Sequence, residues 1–117
     1  MDERIIVPYS AGAAAKKFYV QTSYEVKEFG LTPMYLKPGS YVNGIKVIAQ
    51  GLEIRDIERL KKTYRLGNGD YTNPKDWCKM RGSGIVTDGT DEFQAEVHWY
   101  ECPNVGKVEF KVKNIFS

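Results

Sequence analysis

The chain has 117 residues, enough for one domain with one core, and residues 1–117 read as a single unit. It is 42% hydrophobic and 27% charged, the profile of a folded, water-soluble protein. Its net charge of +2 is too small to announce a nucleic-acid partner unless folding gathers the cations. No apolar run approaches the roughly 20 residues of a membrane-spanning helix. The acidic start "MDER" lacks the basic region of a secretory leader, so a cytoplasmic protein without a membrane partner is expected. Cys78 and Cys102 are too few for a disulfide framework. With His98 as the single histidine, they show no zinc spacing either, and both read as reduced thiols.

In chain order, "IIVP" (5–8) reads as a short strand or a docking lead-in, and "AGAAAKK" (11–17) as helix or loop. The β-branched and aromatic stretch 17–29 reads as a strand. Turn signals follow at Gly30, Pro33, Pro38-Gly39 and Asn43-Gly44, and then a short strand over 45–49. The spacing of Ile54, Ile57, Leu60 or Lys61, and Tyr64 predicts an amphipathic helix over 51–67. Its acidic residues come early, its basic ones late, and Gly67 is placed to end it. After a loop at 68–76, three strands are predicted near 79–87, 93–101 and 107–116, with connections short enough to force antiparallel pairing. The expected class is α+β: N-terminal helix or strand elements, then one main helix packed on an antiparallel sheet of about four strands.

Side chains alternate faces along a strand. On the second of the three strands, Phe93, Ala95, Val97 and Trp99 should face the helix, with Gln94, Glu96, His98 and Tyr100 opposite. On the third, Val108, Phe110 and Val112 form the apolar side, with Lys107, Glu109, Lys111 and Lys113 opposite. Pairing the strands sets Glu96, His98 and Tyr100 beside Lys107, Glu109 and Lys111. Lys79, Arg81 and Ser83 join from the first strand unless Gly82 and Gly84 introduce a bulge.

That face holds the parts needed for RNA cleavage by its own 2′-hydroxyl. A base removes the 2′ proton and an acid protonates the 5′ oxygen, roles open to His98. Lys107, Lys111 or Arg81 can hold the phosphate, and Tyr100 or Trp99 can stack a base, although Trp99 by parity points into the core. The same pattern also describes an ordinary solvated strand with Lys–Glu pairs. The helix charges Arg55, Arg59, Lys62 and Arg65 read as a solvated face. Exposed aromatics Tyr19, Tyr24, Tyr35 and Tyr41 could serve a homo-oligomer contact.

The stretches "YSAGAAAKKFYV", "VNGIKVIAQGLEIRDIERL" and "DWCKMRGSGIVTDG…EFQAEVHWYECPNVGKVEFKVK" together resemble a family of small nuclease-like domains. These stand at the C-termini of bacterial polymorphic toxins and phage head-morphogenesis proteins, in the barnase–EndoU–colicin–RelE superfamily. The resemblance runs over about residues 9–113. It implies a helix-then-sheet topology and a metal-independent ribonuclease needing no cofactor, with an RNA substrate such as tRNA. It implies His98 as the acid or base, with Glu96, Tyr100 and Lys111 on the same face. Arg55, and Lys16 or Lys17, are further positions in resembling stretches. In a toxin, an acidic immunity protein would cover the face, and the chain would be delivered to a target cytoplasm or carried on a virion. The alternative is a non-catalytic RNA- or protein-binding module of phage or mobile-element origin.

Overall fold

The computed structural model describes residues 16–27 and 32–116. "IIVP" and most of "AGAAAKK" lie outside the described residues. Seven strands are formed: β1 (Lys16–Tyr19), β2 (Glu25–Lys27), β3 (Met34–Leu36), β4 (Tyr41–Gln50), β5 (Cys78–Thr87), β6 (Glu92–Cys102) and β7 (Gly106–Ile115). Helix α1 spans Ile57–Thr63, and single 3₁₀ turns occupy Gly51–Glu53 and Pro74–Asp76. The predicted strand at 17–29 is therefore two strands, β1 and β2, parted by an irregular stretch.

The last three strands form the expected antiparallel meander. β5 and β6 pair from Cys78↔Glu101 to Thr87↔Glu92 with no shift, so Gly82 and Gly84 introduce no bulge there. The meander does not stay open. β2 pairs in parallel with β7 (Val26↔Phe110, Lys27↔Lys111), β3 pairs with β2, and β3 returns to β5 through Tyr35↔Thr87 and Leu36↔Val86. The ring β5–β6–β7–β2–β3 closes into a five-stranded barrel. β4 runs beside the other half of β5, from Asn43↔Ser83 to Gln50↔Cys78, and β1 lies outside β4.

This overturns the expected α+β class. The apolar face of the meander meets no helix; the sheet curls until that face closes on itself. Met80, Val86, Ala95, Val97, Trp99, Phe110 and Val112 pack inside against Val26, Met34, Leu36 and Val42. Curling needs bends, and β7 has two. Its register against β6 shifts between Glu96 and Val97, and again between His98 and Tyr100. At the second shift the extra residue is Glu109, at φ 59, a left-handed conformation that costs a non-glycine residue roughly 1 kcal/mol or more. A bulge of this kind bends the strand and raises its twist.

Trp99 fills the middle of the barrel. Its ring stacks on Phe110 at 5.3 Å between centroids and meets Phe18 edge-on at 5.5 Å. Gly82 exists to leave this space. A Cβ there would lie 2.7 Å from Val42 Cγ1, 3.1 Å from the Asn43 carbonyl oxygen and 3.3 Å from the Trp99 ring. Tyr24, expected as an exposed contact residue, packs its ring 4.7 Å from Phe110.

The helix is shorter than its periodicity predicts. Ile54 is extended (φ −75°, ψ 124°), and Tyr64 leaves the helix at φ −109°, ψ 101°, before Gly67. Ile54, Ile57 and Leu60 are nevertheless buried, with Trp77, Tyr100 and Cys102, in a second core on the outside of the barrel. Seven residues form no stable helix alone. Burial of Leu60, 0% exposed, contributes about 1.5–3 kcal/mol towards holding it.

Candidate functional site

Strand register concentrates the cations. Lys46 pairs with Arg81, Arg81 with His98, His98 with Lys111, and Lys111 with Lys27. Directly paired residues project to one face. Their neighbours Met80, Val97, Phe110 and Val26 are buried inside the barrel, so this row faces outward. Five neighbouring strands at about 4.8 Å spacing make a transverse row about 19 Å long, with four cations and the histidine. One flank holds Ser83, Glu96 and Asn114, paired in the next line; the other holds Lys79 beside Tyr100. Lys113, exposed, is the extra residue at the first β7 bulge.

His98 sits at the centre. Its Nε2 lies 2.8 Å from Glu96 Oε2. The hydrogen bond from His98 holds the Glu96 carboxyl below the usual carboxylate range, against the opposing effect of burial. The charges of His98, Arg81 and Lys113 act in the same downward direction. An ionised Glu96 accepts from Nε2–H, which leaves the lone pair of the neutral ring on Nδ1. Nδ1 is buried with no hydrogen-bond partner among the described residues. A small depression beside the ring is bordered by Lys79, Tyr100, Glu109, Lys111 and Lys113.

Glu96, His98, Lys111 and Arg81 are thus brought together, as the sequence predicts. Tyr100 is on the same side but is unavailable for stacking. It is buried under α1, its hydroxyl 3.5 Å from Asp56 Oδ2, and burial pushes its phenol pKa up. Lys107 is on the wrong side of the strand. The Glu109 bulge reverses the alternation, so Val108 turns outward to the second core while Lys107 reaches Glu101, Nζ to Oε1 3.6 Å. Its ammonium lies 4.9 Å from the Phe18 ring centre, and Glu101 also accepts from Trp99 Nε1 at 2.8 Å. Lys107 is therefore part of a buried ion pair at the barrel wall. Arg55 is exposed between the 3₁₀ turn and α1, and no hydrogen bond or ion pair among the described residues joins it to the row. Lys17 lies on β1 with its ammonium 4.6 Å above the Tyr41 ring, and Lys16 pairs opposite Ile45.

Sequence reasoning missed Lys27 and Lys46, which only the barrel closure and β4 bring into line with His98. It also missed a clamp. Arg59 donates to both Glu109 oxygens at 2.9 and 3.0 Å, and the Tyr64 hydroxyl donates to Glu109 at 2.8 Å. Arg59 holds the Glu109 carboxyl low, while burial and then Glu109 push Tyr64 up to about 12. The clamp borders a wider groove with Glu25, Lys27 and Lys111. Glu109 was visible only as one more charge on a strand; its left-handed backbone has no signature in the alternation pattern.

Among the described residues no three His, Cys, Asp or Glu side chains converge as metal ligands. Both cysteines are buried and outside any disulfide, and burial pushes the Cys102 thiol up to about 12. No helix among the described residues is long and apolar enough to cross a membrane. Comparison with protein-family models, with curated proteins and with solved structures gives no match. Function is therefore argued from the site itself.

Proposed function

We propose that this chain acts on RNA, seating the backbone on the row Lys46–Arg81–His98–Lys111–Lys27 and cleaving it by 2′-hydroxyl transesterification without a metal. The observation that carries this reading is His98: a carboxylate on Nε2, an unpartnered Nδ1, and a cation on either side. A carboxylate so placed orients the ring and stabilises the imidazolium. Nδ1 takes the 2′ proton, the 2′ oxygen bonds to phosphorus, and the P–O5′ bond breaks to give a 2′,3′-cyclic phosphate. Arg81 and Lys111 stabilise the charge on the phosphorane. The Lys111 ammonium protonates the departing 5′ oxygen. Because Nδ1 is below the surface, productive binding requires side chains around the ring to move. A structured RNA such as tRNA in the cytoplasm is the expected substrate. An acidic immunity protein would complement the same cations.

The test is cleavage of total cellular RNA in EDTA. Wild type should give defined fragments with cyclic-phosphate ends. His98→Ala, folded by circular dichroism, should lose about 100-fold or more in rate. Fragments from both proteins alike would remove His98 from the chemistry.

The second reading is RNA binding without cleavage, and the burial of both Nδ1 and Tyr100 favours it. Wild type would then leave RNA intact but bind it with a steep salt dependence. His98→Ala would change affinity little.

A further inference from the structure

We infer that Tyr19 and Tyr41, with Lys17, form a base-stacking shelf for a single-stranded segment of the RNA whose phosphates cross the cation row; this rests on the reading above that the row takes RNA. Tyr41 shares its face with Asn43, two residues on, and Asn43 pairs with Ser83 on the outer side of the barrel. Tyr19 pairs directly with Tyr41. Phe18, Val20 and Val42, their chain neighbours, belong to the interior core. The two tyrosines therefore share the outer face with the row. They stand 52% and 40% exposed, ring centroids 5.3 Å apart at 68°, with the Lys17 ammonium 4.6 Å above Tyr41.

Single exposed aromatics are ordinary on protein surfaces. A paired set with a cation on one ring is the combination that binds single strands: a π-face takes any base and the adjacent charge takes its phosphate. Tyr41 and Lys46 are five positions apart on β4, at most about 16 Å along a strand that is bulged between Asn43 and Lys46. The ground between carries Asn43 and Ser83, donors and acceptors for base edges, rather than apolar groups that would suit a protein partner. Duplex RNA cannot use such a shelf, because its bases are stacked on one another. The inferred substrate class is therefore a loop or unpaired end.

The experiment is fluorescence anisotropy with a labelled 2′-O-methyl oligouridylate, which lacks the attacking hydroxyl, beside the same backbone without bases. Wild type should bind the oligouridylate about ten-fold or more tighter than the abasic strand. Tyr41→Leu and Tyr19→Leu should each weaken oligouridylate binding several-fold and leave the salt slope unchanged. Arg81→Ala and Lys111→Ala should each lower the slope by about one. Equal affinity of wild type for the two strands would overturn the shelf and leave the row standing. Wild-type affinity in both tyrosine variants would do the same. Absence of binding by wild type to either strand would overturn the row, and the shelf with it.

Discussion

The outward face of β6 has two halves with opposite fates. Tyr100 and Cys102 lie under α1, in a core with Leu60 and Trp77. Glu96 and His98, on the same side of the same strand, are covered by no helix among the described residues and are flanked by Arg81 and Lys111. Sequence alternation treats the four residues alike. What divides them is the reach of a seven-residue helix, fixed by the Glu109 clamp to Arg59 and Tyr64. A polar face is left open to solvent here because an element stops short of covering it.

Several substitutions would break or sharpen that contrast. The largest effect is expected from Leu60→Ala, which should lose about 2–5 kcal/mol by urea unfolding as the covered half empties. The RNA affinity of the folded fraction should stay at its wild-type value; a matching loss of affinity would mean that the two halves are one unit. Next is Gly82→Ala, where the new methyl meets Val42 and β4 backbone from inside the barrel. It should cost about 1–3 kcal/mol and lower the melting temperature without selecting either half.

Smaller is Glu109→Gln, about 1 kcal/mol, because Arg59 is 49% exposed and the pair is partly screened. The Glu109 carboxyl titrates lower in the folded protein than in the unfolded chain. Its stabilisation is therefore fully present above the unfolded value of about 4.3 and is lost as pH falls through the lower folded value. The variant should lose that share of acid sensitivity, which urea midpoints at neutral and acid pH would reveal. Similarly small in stability is His98→Ala, whose half-buried ring gives up one hydrogen bond to Glu96, expected to cost about 1 kcal/mol. A loss of several kcal/mol would make His98 a structural residue.

Much of the meander was legible. The last three strands fall within a residue or so of their predicted limits, because each alternates and each is bounded by turn residues. The alternation on β6 places Trp99 inside and His98 outside. Closure was not legible. It depends on β2 and β3, three residues each, too short to show a period, and on a parallel pair between segments more than 80 positions apart. The side of Lys107 was lost at Glu109, since one inserted residue reverses every side chain beyond it. Over 51–67 the burial of Ile54, Ile57 and Leu60 was right although only part of the segment is helical, because extended and turn residues can present the same apolar groups.

The brevity of β2 and β3 has a dynamic consequence. The barrel's perimeter is uneven: long ladders join β5, β6 and β7, while the joint through β2 and β3 is held by a few backbone bonds. Local opening follows the weakest ladder, so among the barrel strands amide exchange is expected to be fastest at that joint. Four of the five members of the basic row stand on the side that stays zipped, and only Lys27 rides on the loose strand. The interior can thus open towards solvent while the basic row keeps its spacing.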